Sequence, residues 1–215
     1  MLEKDYTFFN MKRPSKSLQV IEPKARSIIF GHRGGWVFTP RDFAPLGDPR
    51  SVGMALTRLS RKGIIRQLAR GLYDYPIDHP SFGRIPPSAD AVAKALAKRD
   101  ASRLQPTGAY AANILGLSEQ VPTRIIFLTD GPSRRVKFGQ QEIVLKRTTP
   151  RNMATAGRKS GTIIQALRHI GQRNINERTL AIIKRQLTKQ DRAQLLKDLR
   201  YAPAWLVEIL QQLSA

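Results

Sequence analysis

Residues 48–75 read DPRSVGMALTRLSRKGIIRQLARGLYDY, and this stretch decides the predicted fold of the N-terminal part. Asp48 followed by Pro49 is a typical helix start, because an aspartate caps free N–H groups and proline fits the first turn. The helix is predicted to end at Lys62, before Gly63. Two runs with strand character follow it and predict a two-stranded ribbon around a glycine turn. These runs are Ile64–Leu68 and Leu72–Tyr75.

Two further helical segments precede this stretch. Apolar residues spaced by three and four predict a helix between Ser15 and His32, and we expect Pro23 to break it. A short helix is predicted from Thr39 to Phe43. A helix, a short helix, a longer basic helix and a ribbon, in this order, predict a winged helix-turn-helix.

The second half of the chain is predicted to be a mixed domain. Prolines between Pro76 and Pro87 indicate a linker before it. Three β-branched runs within residues 123–148 predict an antiparallel β-meander, and six helices are predicted around it. The predicted class is therefore α+β, with three parts. They are a flexible tail at residues 1–14, the winged helix-turn-helix at 15–80 and a C-terminal α+β domain at 81–215.

The charge of the chain indicates a polyanionic partner. The 37 Lys and Arg residues against 16 Asp and Glu residues give a formal net charge of +21. Such a molecule repels itself unless DNA, RNA or an acidic membrane neutralises it. Long basic amphipathic stretches with aromatic residues are absent from the sequence, which disfavours a membrane. Both halves are basic, so the charge alone does not assign binding to one of them.

The helix at residues 48–62 is predicted to enter the major groove of double-stranded DNA. Its polar side carries arginines that suit guanine edges or phosphates, together with hydroxyl groups. Two arginines are predicted at the tip of the ribbon, where they are placed for contacts with the backbone or the minor groove. The predicted DNA-binding residues of this half are Arg50, Ser51, Thr57, Arg58, Arg61, Arg66 and Arg70. The alternatives are a solvated basic face and a winged helix used for protein contacts.

A basic run in the second half is predicted to extend the phosphate contact without reading sequence. Among these cations stands a single acid, Glu142, although a solvated face would explain the run equally well. The predicted residues are Arg134, Arg135, Lys137, Lys146, Arg147, Arg151, Arg158 and Lys159.

Enzymatic features are few. The chain has no cysteine, which agrees with a reducing cytoplasm, and its three histidines lack metal-ligand spacing, so no metal, cofactor or catalytic residue is predicted. Residues 157–162, GRKSGT, fail the phosphate-loop pattern and indicate a helix start after a loop. We see no secretory signal or membrane span and expect a soluble cytoplasmic protein.

Several motifs resemble one family over nearly the whole chain. The motif Gly35–Phe38, the helix from Asp48 and the motif Arg70–Tyr73 look like the N-terminal winged helix of AbiEi-type antitoxins of type IV toxin–antitoxin systems. In the second half, three motifs resemble an uncharacterised subgroup of that family. They are Thr107–Asn113, Leu128–Gly131 and Arg200–Trp205. The resemblance implies a repressor that binds repeats in its own promoter and whose C-terminal domain counteracts a nucleotidyltransferase-like toxin.

The sequence thus predicts a non-enzymatic, DNA-binding autorepressor and antitoxin. Two other functions remain open. A chain of this charge can also be an RNA-binding or ribosome-associated protein, and a DNA-processing enzyme such as a nuclease can assemble its acids from distant segments. A neutral structural adaptor is least favoured, because the charge has no role in it.

Overall fold

The computed structural model describes residues 16–215. The predicted tail at residues 1–14 lies outside the described residues. The first element is helix α1, Lys16–Gly31, which runs through Pro23 without a break, so the predicted interruption is wrong. Ile21, Ala25 and Ile29 bury one side of the helix while Pro23 is exposed on another. Packing of the apolar side holds the helix together where the proline removes one backbone donor.

Three short elements lead from α1 to the predicted DNA-reading helix. They are strand β1, Val37–Phe38, a 3₁₀ helix, Pro40–Leu46, and helix α2, Pro49–Arg61. The 3₁₀ helix starts as predicted after Thr39, whose N–H and hydroxyl donate to the Asp42 carboxylate at 2.8 and 3.1 Å. The short helix extends three residues beyond its predicted end, because its last residue, Leu46, packs with the apolar core.

The predicted ribbon is present next. Strands β2, Arg66–Ala69, and β3, Leu72–Asp74, are antiparallel, and β1 pairs with the other edge of β3. The tight turn between β2 and β3 needs Gly71, which has a φ of +68°. The element order of this part is helix, short strand, 3₁₀ helix, helix and two strands, which is compatible with the predicted winged helix-turn-helix. We call residues 16–85 the winged part.

The predicted linker after β3 is instead a second hairpin. Strands β4, Ile77–His79, and β5, Gly83–Ile85, pair only with each other among the residues that the structure describes. The prolines that suggested a linker lie beside the strands and in the turn, where they remove no ladder hydrogen bond. The predicted domain boundary at residues 80 and 81 falls at the tip of this hairpin.

The second half begins with three short elements and continues with three strands. Helix α3 and strand β6 come first, then helix α4, and strands β7, β8 and β9 follow. The bounds are α3, Ala89–Arg99; β6, Leu104–Pro106; α4, Gly108–Ile114; β7, Arg124–Thr129; β8, Arg134–Phe138; and β9, Gln141–Arg147.

The sheet in this half is mixed, so the predicted antiparallel meander is wrong. Its strand order is β6-β7-β9-β8, and β7 and β9 run parallel while the other two pairs are antiparallel. Strand β9 contributes the fully buried Ile143 and Leu145, whereas β8 carries Arg134, Arg135 and Lys137. The apolar strand therefore takes an inner position, and the charged strand lies at the edge, where its side chains reach solvent.

The last part of the chain is helical. Helix α6, Lys159–Ile170, begins inside the motif at residues 157–162, which confirms that a helix starts there after a loop. Thr188 and Asp191 cap helix α8 reciprocally, as predicted. The elements are α5, Pro150–Met153; α6, Lys159–Ile170; α7, Glu177–Gln186; α8, Lys189–Asp198; α9, Ala204–Ser214; and 3₁₀ turns at Gln172–Asn174 and Leu199–Tyr201.

Three apolar clusters hold the protein together, and its class is α+β. One lies within the winged part around Phe38, Phe43 and Leu56, and another joins the C-terminal helices to α4. The third packs α3 against the mixed sheet and includes Val37 of β1 and Leu72 of β3. The two halves thus share this third cluster. Within residues 16–215, no helix has both the length and the apolarity that crossing a bilayer requires.

Candidate nucleic-acid interface

Local hydrogen bonds fix the start of α2. The Asp48 side chain accepts hydrogen bonds from the backbone N–H groups of Arg50 and Ser51, each at 3.0 Å. Hydrogen bonds from the side chain and backbone of Ser51 hold the pKa of Asp48 below its usual value. The carboxylate therefore satisfies two of the free donors at the helix end and complements its dipole.

The sequence of α2 divides its surface into two faces. The buried side consists of Val52, Ala55, Leu56 and Leu59, all at most 1% exposed. The predicted outward position of Ser51 is wrong, because Ser51 is only 7% exposed and lies beside this apolar side. Ser51 precedes Ala55 by four residues, and residues four apart lie on the same side of a helix.

The opposite side of α2 is exposed and basic. Arg50 and Arg61 are exposed, and Met54 lies between them with 37% exposure. Thr57 and Arg58 are half-buried, and the Thr57 hydroxyl donates to the Gly53 carbonyl at 2.9 Å. The spacing of these residues places them on one side of the helix. We call this surface the α2 face; it consists of Arg50, Met54, Thr57, Arg58 and Arg61.

The arginines of the α2 face are available for a ligand. In the described part of the chain, no carboxylate lies within 4.0 Å of the side-chain nitrogens of Arg50, Arg58 or Arg61. Elsewhere most acids pair with a cation, so unpaired arginines on one exposed helix side leave a concentrated positive field.

The two ribbon arginines have different environments. Arg66 bonds both carboxylate oxygens of the buried Asp74, at 3.1 and 2.6 Å, and also donates to the carbonyl of Ile85 at 3.0 Å. Its predicted position at the tip is wrong, since Arg66 is the first residue of β2. Its side chain links β2 to β3 and β5 through these hydrogen bonds. Arg70 lies in the turn and is exposed, as predicted.

The β2–β3 ribbon packs onto the second half. Leu68, Ala69 and Leu72 contact the cluster that contains α3 and the mixed sheet. Arg70, in the turn, is exposed. Arg70 is therefore the one predicted wing residue with a side chain free to contact DNA.

The predicted basic run of the second half does not form one continuous surface. Arg134 makes a bidentate contact with Asp100, Arg158 contacts the buried Asp198 at 2.7 Å, and Lys159 contacts Asp191 at 2.8 Å. The hydrogen bond from Arg134 holds the pKa of Asp100 below its usual value. Since a paired cation has less charge to offer a phosphate, these residues have mainly structural roles.

The remaining members of the run lie at different places. Arg151 is exposed and donates to the backbone carbonyl of Arg200 at 3.4 Å, in a geometry at the limit of a hydrogen bond. Arg147 is exposed at the end of β9, beside Ser133. Arg135, Lys137 and Lys146 lie on the exposed side of the sheet, away from α3.

Strand register brings four cations to that side of the sheet. Lys137 is paired with Glu142 across β8 and β9, and Arg124 is paired with the same Glu142 across β7 and β9. Residues paired across strands point to the same side of the sheet, as do residues two apart along one strand. Arg124 and Arg135 each contact the Glu142 carboxylate at 3.3 Å. We call this surface the sheet face; it consists of Arg124, Arg135, Lys137 and Lys146.

Two residues of these surfaces were not among the predicted DNA contacts. Arg124 belongs to the sheet face, and the run RIIFLT of β7 does not alternate between polar and apolar residues, so no local pattern marked its side of the sheet. Met54 belongs to the α2 face and offers an apolar contact of the kind that reads thymine methyl groups. Further exposed cations on the C-terminal helices, such as Arg178 and Arg185, were counted only in the total charge.

The acids and histidines of residues 16–215 are dispersed. No group of three or more His, Asp or Glu residues there has a geometry that could hold a metal ion. His32 stacks on Trp36 with ring centroids 3.6 Å apart, and His79 accepts a hydrogen bond from the N–H of Ser81. The described histidines 32 and 79 thus have local structural contacts.

The sequence and the fold were compared with known families, proteins and structures, and one family matches. No curated protein matches the chain. One similar solved structure is the crystal structure of the RV2827C protein from Mycobacterium tuberculosis, with 18% sequence identity and a TM-score of 0.45 over 89% of this chain and 71% of that chain. A family model matches residues 24–195, well over half of the sequence. The chain therefore belongs to DUF6088, which is described as a family of unknown function.

Proposed function

We propose that this protein is a transcriptional repressor that binds double-stranded DNA, with α2 lying in the major groove. The observation that carries the proposal is the α2 face: three arginines with no carboxylate partner among residues 16–215, and an exposed methionine, on one side of a capped helix. Arginine bonds guanine edges in pairs, and an apolar side chain contacts thymine, so this combination can read sequence. A net charge of +21 supplies the attraction for the phosphate backbone.

Arg70 and the sheet face add contacts to the backbone. Arg70 is in the turn of the ribbon, the position from which winged proteins reach the DNA beside the recognition helix. The sheet face offers Lys137 and Lys146 as point charges, with no carboxylate within 4.0 Å of either in the described chain. Contacts of this kind raise affinity for any duplex and add no sequence preference.

The resemblance to AbiEi-type antitoxins supplies the finer proposal. On that basis the DNA is a promoter with repeats in front of the protein's own gene, and the protein is a cytoplasmic antitoxin that acts against a nucleotidyltransferase-like toxin. It is not an enzyme in this proposal. A nucleotidyltransferase-like reading frame beside the gene, with a growth defect that this protein relieves, would support the antitoxin role.

The direct test replaces Arg58 and Arg61 together with Ala and measures affinity for the native promoter and for an unrelated duplex. Each lost base contact should cost about 1–3 kcal/mol, so the preference for the promoter should fall by roughly tenfold or more. The matched control is Arg178→Ala with Arg185→Ala on α7, which removes the same charge from exposed positions. The control should keep the preference for the promoter.

Three outcomes would overturn the proposal. If the α2 variant keeps the full preference for the promoter, α2 does not read the sequence. If structured RNA competes as well as the promoter at the same salt concentration, the RNA-binding alternative is correct. Cleavage of plasmid DNA that depends on added metal would instead identify a nuclease.

A further inference from the structure

The hairpin of β4 and β5 is the most exposed regular element of the winged part. Phe82, in its turn, has 80% of its surface exposed, and Ile77, at its base, has 43% exposed. The Phe82 ring lies beside the ring of His79 on the same hairpin, with centroids 4.8 Å apart. An aromatic ring in this position loses favourable burial unless another molecule covers it.

The hairpin also has open edges. It is a two-stranded sheet, and no third strand among residues 16–215 pairs with β4 or β5. A two-stranded sheet alone is marginally stable in water, and unpaired edge strands are templates for pairing with another chain. Apart from the Ile85 carbonyl, which accepts a hydrogen bond from Arg66, the hairpin offers apolar surface and backbone groups that have no strand partner among the described residues.

Its charge differs from the rest of the molecule. Residues 77–85 contain one acid and one base, Asp78 and Arg84, which form an ion pair at 3.3 Å. The chain as a whole carries +21, so two copies repel each other across most of their surfaces. At a neutral, apolar surface the repulsion between two copies is weaker than at the basic surfaces.

Polar contacts fix the base of the hairpin to the end of α2. The Arg84 guanidinium donates to the carbonyl of Gly63 at 2.8 Å, two residues after α2 ends. Arg66 donates to the carbonyl of Ile85 at 3.0 Å while it also holds Asp74. The orientation of the hairpin relative to α2 is thereby defined.

We propose that the β4–β5 hairpin is a self-association surface, through which two copies of this chain pair about a two-fold axis. Phe82 and the edge strands form the contact, and the same surface of both copies takes part, as a two-fold axis requires. The pair forms in solution and does not need a nucleic acid. Self-association can therefore be tested independently of the DNA-binding proposal.

The pairing has a consequence for the two α2 helices. Because each hairpin is fixed to the end of its own α2, association sets the distance between the two helices. If the proposed function is also correct, the pair reads two half-sites at a defined spacing, as symmetric repressors do.

Sedimentation equilibrium of the full chain over a wide concentration range tests the proposal. The wild type should show a concentration-dependent mass that approaches twice 24.2 kDa. Phe82→Ser should weaken the association about tenfold or more, because an exposed aromatic residue dominates a small interface. The matched control is Val121→Ser, which removes another exposed apolar side chain, 61% exposed, from the second half. The control should associate like the wild type.

A single introduced cysteine gives an independent measurement, because the chain has none of its own. Ser81→Cys should give a disulfide-linked dimer under mild oxidation, and Ala181→Cys on the exposed side of α7 should not. A wild type that stays monomeric at every concentration, or a Phe82→Ser variant that associates as strongly as the wild type, would overturn the proposal. Thermal melting of each variant establishes that it is folded.

Discussion

Arg66 and Arg70 stand four residues apart in the chain and have different environments. Both are basic residues in the ribbon, and the sequence predicted both as DNA contacts. Arg66 instead neutralises Asp74, whose side chain is 1% exposed, while Arg70 reaches solvent. A buried carboxylate must be paired, and the partner that pairs with it can be identified only from the three-dimensional arrangement. The same reason explains why Arg134, Arg158 and Lys159 were overvalued as phosphate contacts.

The acid Asp191 predicts how stability depends on pH. A hydrogen bond from Lys159, followed by one from the backbone of Thr188, lowers the pKa of Asp191 to about 2. The folded carboxyl binds a proton less readily than the unfolded one, so its contribution to stability is complete above roughly pH 4. That contribution is lost as the pH falls towards 2. We expect Asp191→Asn to melt earlier at neutral pH and to lose less stability than the wild type on acidification.

The measurement is the melting temperature followed by circular dichroism between about pH 7 and pH 2. Glu119→Gln, which changes an exposed acid in a loop, is the control and should follow the wild type. Equal acid-induced losses of melting temperature in Asp191→Asn and the wild type would show that the Lys159 contact does not stabilise the fold.

At the scale of elements, start and stop signals predicted most of the helices. Asp48-Pro49, Thr39-Pro40 and the pair of Thr188 and Asp191 all mark real helix starts, because caps act over three or four neighbouring residues. The five predicted strand runs lie within two residues of β2, β3, β7, β8 and β9, whereas β1, β4, β5 and β6 were not predicted. The pairing in the second half was not predicted correctly, since the position of β9 between β7 and β8 depends on which strand is most apolar in the assembled core. Long-range pairing of that kind leaves no local signature.

Replacing two helical glycines with alanine should change the free energy of unfolding in opposite directions. A Cβ atom at Gly161 in α6 would lie 2.5 Å from the carbonyl oxygen of Thr155 and closer still to the side-chain oxygen of Gln105. Gly161→Ala should therefore lower the free energy of unfolding by about 1–3 kcal/mol, as overpacking does. At Gly53 in α2 a Cβ atom would meet nothing within 4 Å. Gly53→Ala should raise the free energy of unfolding by about 0.5–1 kcal/mol, because alanine favours the helix.

Urea unfolding of both variants beside the wild type checks this prediction. Each substitution adds one methyl group to a helix, so each variant serves as the control for the other. Shifts of the same sign and similar size would mean that the close packing of Gly161 against β6 is not a constraint on the fold.

At the scale of the whole molecule, the two halves are less separate than the sequence indicated. The prolines after Tyr75 suggested a linker, yet Val37 and Leu72 of the winged part are buried in the cluster of α3 and the mixed sheet. Further contacts join the 3₁₀ helix to α3, where Lys98 pairs with Asp42 at 2.5 Å. Deleting residues 81–215 would expose this apolar surface. Charge removal at the surface is therefore a better test of the second half than truncation.

The contribution of the sheet face to DNA binding predicts a change in salt dependence. Lys137→Ala with Lys146→Ala should weaken binding to every duplex and reduce the slope of log K against log salt by roughly 2, because each phosphate contact releases about one counterion. The preference for the promoter should stay unchanged. Fluorescence anisotropy at several salt concentrations measures both quantities, and the Arg178 and Arg185 pair on α7 again supplies the charge-matched control. A slope that equals that of the wild type would mean that the sheet face is only solvated.

The core shared by the two halves also restricts how new members of the family can arise by recombination. An exchange of gene segments at the β4–β5 hairpin would join a winged part to a foreign second half. Such a hybrid folds only if the incoming α3 and sheet present surfaces that match Val37 and Leu72 in size and shape. DNA specificity can therefore diversify through substitutions on the α2 face more readily than through the exchange of whole modules.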